Sequence, residues 1–100
     1  MGRLGVTAAL CALLAGPVFA NEIERACLRS DRPGKSRALC GCIQDAANLT
    51  LSSRDQRLAA SFFANPDRAQ QVRTSDARKN EVFWQRYEAF GRTAEQYCRL

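Results

Sequence analysis

Residues 82–98 read VFWQRYEAFGRTAEQYC and contain the pattern that decides the fold. On one side of this stretch, bulky or apolar residues follow one another at spacings of four, three, four and three, the repeat that an α-helix presents to a partner surface. They are Phe83, Tyr87, Phe90, Ala94 and Tyr97. The other side places Glu88 four residues before Arg92 and Glu95 four residues before Arg99, an order that favours an exposed helix face. We expect a long amphipathic helix, starting near Asp76, whose apolar face is covered by other helices.

Helical signals also precede this stretch. A first helix is predicted over residues 22–29 after Asn21, and Ser36 is predicted to cap a second. The second helix carries a stripe of residues expected to be buried: Leu39, Cys42, Ile43, Ala46 and Leu49. Ser53 with Gln56 forms a capping-box pattern for a third helix over residues 54–64, and Asn65 followed by Pro66 starts a short helical turn. With no alternating strand pattern, the sequence predicts an all-α fold of four helices plus a short helical turn.

The first twenty residues have the pattern of a secretory signal peptide. Arg3 is followed by an apolar run and a Gly16-Pro17 break, and small residues stand at the first and third positions before a cut after Ala20. The run is shorter than the roughly 20 apolar residues that a membrane-spanning helix needs. We therefore expect export to the periplasm, loss of residues 1–20, and a single helical domain over residues 21–100 with no transmembrane segment.

The expected mature chain is small, and its cysteines matter for that reason. It has 100 − 20 = 80 residues and, with Cys11 removed, 5 − 1 = 4 cysteines. A domain of this size has a marginal core, and cysteines in an exported chain usually form stabilising disulfides. Cys40 and Cys42 point to different sides of a helix, so each is expected to bond a distant cysteine. The pairs are Cys27–Cys40 with Cys42–Cys98, which we favour because Cys42 lies on the predicted stripe, or Cys27–Cys42 with Cys40–Cys98.

The Cys40-Gly41-Cys42 motif has a second interpretation. Cys-X-Cys can chelate a soft metal such as Cu(I) or act as a redox pair when its backbone is extended. Against a copper site, the chain has no histidine and its one methionine is Met1. Structural disulfides are the preferred interpretation, with no metal and no cofactor, and a thiol- or copper-handling protein is the alternative.

The charge of the chain favours an anionic partner. The formal net charge is +5, which becomes +4 once Arg3 is removed, and arginine supplies most of the positive charge. Basic residues cluster around the loop between the first two helices with few acids beside them, which suits an acidic protein or an anionic envelope component. The cluster comprises Arg25, Arg29, Arg32, Lys35 and Arg37. In an exported protein, nucleic acid is not an expected partner. The alternative is that these arginines only solvate helix faces.

Trp84 lies beside the apolar face of the last helix rather than on it. It can serve either as an exposed anchor for a partner or as a lid over the core. The sequence has no histidine, no Gly-rich phosphate loop and no nucleophile elbow, and Asp45 and Asp55 look isolated. We therefore expect no catalytic residues and a protein that is not an enzyme. A small apolar or amino-acid ligand held between the helices is a further option.

Residues 40–98 also carry a resemblance. With CGCIQ at residues 40–44, FFANPD at 62–67 and FWQRYEAF at 83–90 before the terminal Tyr97-Cys98, this run resembles small uncharacterised exported bacterial proteins, some of which are labelled arginine transporter. The resemblance implies no particular ligand residues. Since a transporter needs membrane-spanning segments, the most it implies is a soluble accessory of amino-acid (arginine) transport.

Overall fold

The computed structural model describes residues 21–99, which form five helices and no strand. The helices are α1 (Glu22–Arg29), α2 (Arg37–Thr50), α3 (Ser53–Ala64), α4 (Pro66–Arg73) and α5 (Arg78–Cys98). The predicted all-α fold, with four helices and the short helical segment α4, is confirmed. The predicted signal peptide, residues 1–20, lies outside the described residues. Within residues 21–99, none of the helices combines the length and the apolar character needed to cross a bilayer.

The first two helices begin and end close to their predicted positions. α1 has the predicted bounds, although the side chain of Asn21 makes no capping hydrogen bond. The Ser36 hydroxyl accepts a hydrogen bond from the backbone N–H of Leu39 at 3.0 Å, which confirms it as the cap of α2. Local capping chemistry therefore sets the start of α2.

The predicted capping box at Ser53 is wrong. Ser52 is the cap, and its hydroxyl accepts a hydrogen bond from the N–H of Asp55 at 3.1 Å. Gln56 turns inward instead of reaching back to the cap, and its Nε2 donates to the backbone oxygen of Leu51 at 3.2 Å. Burial of the Gln56 side chain therefore takes precedence over the local motif.

The predicted start of the last helix near Asp76 is also wrong, because α5 begins at Arg78. The hydroxyl of Ser75 accepts hydrogen bonds from the N–H of Ala77 at 3.1 Å and from Nδ2 of Asn80 at 2.9 Å. These bonds hold a turn ahead of the helix. The capping residues at positions 74–76 therefore form this turn, and α5 starts two residues after the predicted position.

The core is built where α2 packs against α5 and α1, and where α1 packs against α3. Aromatic side chains fill the region between α3 and α5: the ring of Tyr87 lies 5.3 Å from that of Phe62 and 5.7 Å from that of Phe83. The buried apolar residues are Ile23, Cys27, Cys40, Ile43, Ala46, Ala47, Leu51, Ala59, Phe62, Val72, Phe83, Phe90 and Ala94. The prediction that the apolar face of α5 is covered is confirmed for Phe83, Phe90 and Ala94.

Two residues assigned to buried stripes are exposed. Leu49 is 76% exposed and Tyr97 is 69% exposed, so both predictions are wrong. The two side chains line one shallow groove beside Cys42. Helical spacing places a residue on a face, but it does not say how far along that face the covering helix extends.

The favoured disulfide pairing is confirmed. Cys27 bonds Cys40, with their Cα atoms 5.6 Å apart, and Cys42 bonds Cys98, with their Cα atoms 5.8 Å apart. The reason given for the pairing is reversed, because Cys40 is fully buried while Cys42 is half-buried. Consecutive sulfurs of the motif thus tie α2 to α1 on one side and to α5 on the other.

An amide cluster built on two buried glutamines joins α1, α2 and α3. Nε2 of Gln44 donates to Oε1 of Gln56 at 2.8 Å and to Oδ1 of Asn48 at 2.9 Å. Oε1 of Gln44 accepts from the backbone N–H of Glu24 at 3.0 Å, and so satisfies a donor in the first turn of α1. Because each amide is paired, the cluster fixes α1 against the other two helices.

Candidate functional site

A groove of about 570 Å³ lies between α1 and α3. Four residues of α1, at positions 22, 25, 26 and 29, line one side, and four residues of α3, at positions 57, 60, 61 and 64, line the other. Both sets follow the same spacing of three, one and three, which is one face of a helix. The groove is therefore the cleft between two helix faces, and Ser30, Asp31 and Phe63 complete its lining.

Small residues leave this cleft open, and arginines give it positive charge. Ala26, Ala60 and Ala64 are among its lining residues, so the two helices do not fill the space between them. Arg25 and Arg29 come from α1 and Arg57 comes from α3.

All three of these arginines are exposed, and among residues 21–99 none of them forms an ion pair. Their guanidinium groups are therefore available to a ligand, and each can bind a carboxylate or a phosphate through two parallel hydrogen bonds.

Two acids moderate the charge of the groove. Glu22 is the first residue of α1, and Asp31 follows that helix, so the carboxylates come before and after the two arginines of α1 along the chain. Three guanidinium groups against two carboxylates give the lining a formal charge of 3 − 2 = +1. This mixed lining suits a ligand with a few separated negative charges better than a dense polyanion.

The α1 side of the groove is held firmly. Ile23 and Cys27, on the other face of α1, are fully buried, and Cys27 is bonded to Cys40. The backbone of Glu24 is fixed by the side chain of Gln44. Packing, a covalent bond and a buried hydrogen bond thus set the position of Arg25 and Arg29 before any ligand arrives.

The structure divides the predicted basic cluster rather than uniting it. Arg25 and Arg29 line the groove, whereas Arg32 is half-buried and lines a different groove beside α5. Arg37 is exposed at the first position of α2 and lines neither.

Lys35 has a local role within the same loop. Its Nζ donates to the backbone oxygen of Leu28 at 2.8 Å and also to the backbone oxygen of Ser30. These carbonyls lie in the last turn of α1 and just after it, where a helix leaves acceptors unsatisfied and where a cation is favourable. Lys35 stabilises the end of α1 and is already engaged, unlike Arg25 and Arg29.

Trp84 packs as a partial cover of the core. It is half-buried, and its ring centroid lies 5.0 Å from that of Tyr87. Burial raises the pKa of the Tyr87 hydroxyl above its ordinary value. Trp84 lines neither the α1–α3 groove nor the groove beside α5.

The Cys40-Gly41-Cys42 motif lies inside α2, and both of its sulfurs are bonded to other cysteines. Neither sulfur is a free thiol in this structure, so a metal or redox role for the pair requires both disulfides to be opened first. Within residues 21–99, no three histidine, cysteine or acidic side chains are grouped as metal ligands.

Sequence reasoning missed two arginines. Arg57 is part of the groove. Its spacing from the small residues Ala60, Ser61 and Ala64 places all four on one face of α3, and this pattern in the sequence could have indicated its role. Arg86 pairs with Asp55, so the description of Asp55 as isolated is wrong. Burial alone would raise the pKa of Asp55, but hydrogen bonds from Arg86 and Ser52 and the charge of Arg86 outweigh it and hold that pKa below its ordinary value.

Comparison with protein-family models, curated proteins and solved structures finds no match to this chain. The resemblance to exported proteins labelled arginine transporter therefore stays a prediction. Function has to be argued from the groove itself.

Proposed function

We propose that this protein is an exported, non-enzymatic binding module that holds an acidic segment of a partner protein in the α1–α3 groove, in the periplasm. The observation that carries the proposal is the convergence of Arg25, Arg29 and Arg57 on one cleft from two helices. Two disulfides support an oxidising compartment, and the signal-peptide pattern of residues 1–20 supports export.

The composition of the groove favours a peptide over a membrane surface or a polyanion. The groove has an apolar component from its alanines and Phe63, and its lining includes Glu22 and Asp31 beside the three arginines. A segment with acidic and apolar side chains matches both components, whereas a continuous sheet of phosphates would meet the two carboxylates as well. The volume of about 570 Å³ is within the usual range for a binding cleft.

A module of this kind is expected to bind weakly and with a strong dependence on salt. Exposed charges are screened beyond about 8 Å at physiological ionic strength, and arginine–carboxylate pairs at an open groove keep much of their contact with water. Because the groove is already shaped by a disulfide and the amide cluster, little ordering of α1 is needed on binding.

The test uses fluorescence anisotropy of a labelled acidic peptide in which glutamate and leucine alternate. Wild-type protein is expected to bind the peptide, with affinity falling as salt is raised. A triple reversal of Arg25, Arg29 and Arg57 to Glu should lower the affinity at least tenfold while leaving the helical circular dichroism spectrum unchanged.

The matched control reverses Arg68, Arg78 and Arg92, which are exposed and line neither groove, so that net charge changes equally. If the two triple variants lose the same amount of affinity, the effect is due to net charge alone and the groove is not the binding site. If the protein binds phosphatidylglycerol vesicles but not the peptide, the partner is a lipid surface and the proposal of a protein partner is wrong.

A further inference from the structure

A second groove lies between the α1–α2 loop, α3 and α5. Its volume is about 270 Å³, and its walls include Phe62, Phe63, Tyr87 and Phe90. Arg32 is the cation among its lining residues, and Glu95 is the acid. It is an aromatic cleft with a small number of charged groups, the usual composition of a small-molecule site.

Arg32 carries an unsatisfied hydrogen-bond donor. Its Nε is buried and has no hydrogen-bond partner among the described residues. A buried donor without an acceptor has lost its hydrogen bonds to water without replacing them, so such groups are rare in folded proteins. Arg32 lines the aromatic cleft, and its guanidinium group can pair with a carboxylate that a ligand supplies.

We propose that this second groove binds a small monocarboxylate with an aromatic or aliphatic body, whose carboxylate pairs with Arg32 and whose body lies among the four aromatic rings. The volume corresponds to about nine water molecules, which is room for one ring and a short chain. Burial of the body removes apolar surface from water, and the carboxylate pairs with the guanidinium group of Arg32.

Glu95 limits the charge of the ligand. It is exposed and lines the same groove, so the formal charge of the lining is 1 − 1 = 0. A second or third negative charge on the ligand would be repelled by this carboxylate without meeting another cation of the groove. This separates the second groove, with one arginine, from the α1–α3 groove, with three.

The two sites are neighbours but are built independently. Phe63 lines both grooves, whereas Arg32 lines the second and Arg25, Arg29 and Arg57 line the first. Substitutions of the arginines can therefore test each site without altering the other.

The test is titration of the full mature protein with 4-phenylbutyrate, followed by isothermal calorimetry and by chemical shifts of the aromatic side chains. We expect saturable binding that shifts the signals of Phe62, Phe90 and Tyr87. The amine analogue 4-phenylbutylamine carries the same body with the opposite charge and should bind at least tenfold more weakly. Butyrate, which lacks the ring, should also bind more weakly.

Arg32→Met should lower the affinity for 4-phenylbutyrate at least tenfold without lowering the melting temperature, because the substitution removes a buried donor that has no partner. Arg37→Met is the matched control, since Arg37 is exposed and lines neither groove. It should leave the affinity unchanged.

Gly91→Leu provides an independent block. Gly91 lines the groove, and a Cβ atom added there meets no heavy atom within 4 Å, so a side chain at this position starts in open space beside the cleft. Loss of binding in this variant, with the reversal of Arg25, Arg29 and Arg57 having no effect, would support the site. The proposal is overturned if binding is not saturable, if acid and amine bind equally, or if Arg32→Met binds as well as the wild type.

Discussion

Arg86 on α5 donates two parallel hydrogen bonds to Asp55 in the first turn of α3, from Nε to Oδ2 at 2.6 Å and from Nη2 to Oδ1 at 3.0 Å. The Asp55 side chain is 7% exposed and the Arg86 side chain is 45% exposed. The pair therefore joins two helices through residues that are 31 positions apart along the chain, with one partner buried and the other open to water.

Replacing Asp55 by Asn should destabilise the protein by about 1–2 kcal/mol at neutral pH, a value reduced from that of a buried charged pair because Arg86 is half-exposed. The difference should shrink in acid. The folded-state pKa of Asp55 lies below its unfolded value of about 3.9, so its contribution is complete above that pH and is lost as the pH falls through the folded pKa. Urea unfolding of both proteins at pH 7 and well below pH 4 measures this, and a difference independent of pH would show that the charge contributes nothing.

Phe90 and Tyr97 share a face of α5 by sequence but differ in burial, at 6% and 69% exposure. Phe90→Ala should destabilise the protein by about 3–5 kcal/mol, because the cavity lies within the aromatic cluster. Tyr97→Ala should change stability by less than about 0.5 kcal/mol. Thermal unfolding of the two variants gives the comparison, and similar losses would mean that the end of α5 is covered in solution.

Gly41→Ala should stabilise the protein by about 0.5–1 kcal/mol. Gly41 lies inside α2, where glycine is unfavourable, and an added Cβ would come no closer than 3.8 Å to Oε2 of Glu24, an ordinary contact. Gly34 is the control, because its φ of +71° is strained for other residues, so Gly34→Ala should destabilise. If chemical denaturation ranks the two variants in the opposite order, the approach of α1 to α2 is closer than described.

The two disulfides should differ in their resistance to reduction. Cys27 and Cys40 are fully buried, whereas Cys42 and Cys98 are half-buried, and an attacking thiolate needs access to sulfur. Under mild dithiothreitol, alkylation followed by peptide mass spectrometry should label Cys42 and Cys98 first. Once both bonds are open, the melting temperature should fall sharply, since the closed loops contribute about 3 and 4 kcal/mol in the chain-entropy model. Labelling of Cys27 and Cys40 first would contradict the described burial.

Protein recovered from the periplasm should begin at Asn21 and have a mass four hydrogens below that of the fully reduced chain, because two disulfides are formed. Intact-mass spectrometry with and without reduction measures both. Retention of residues 1–20, free thiols or bound copper would contradict the export and disulfide interpretation and support the thiol-handling alternative.

Local chemistry and periodicity predict much of this fold. The bounds of α1, the Ser36 cap and the start of α4 at Pro66 follow from short-range patterns. The divergence of the two cysteines of a Cys-X-Cys motif in a helix excludes a bond between Cys40 and Cys42 and leaves two pairings. The choice between them does not follow from the predicted stripe, because Cys40 rather than Cys42 is the buried one. The start of α3 was misplaced because Gln56 is used for a long-range amide contact, which no local motif reports.

The candidate site is less accessible to sequence reasoning. Arg29, the last residue of α1, and Arg32, in the loop that follows, are close in the chain but line different grooves, because the chain turns between them after α1 ends. Arg57 joins Arg29 only through the packing of α1 on α3. A cluster counted along the sequence therefore does not identify the residues that meet in space.

The two disulfides of Cys40 and Cys42, which join α2 to different helices, also determine how the molecule responds to a protease. One covalent ring runs from Cys27 to Cys40 and the other from Cys42 to Cys98, so between Cys27 and Cys98 only the two peptide bonds of Gly41 lie outside both rings. A single nick anywhere else in that span leaves the two parts joined by a disulfide. Those two bonds lie within α2, where the helical backbone does not fit a protease cleft. A clipped molecule thus remains one covalent body, and its two grooves stay attached to the same frame.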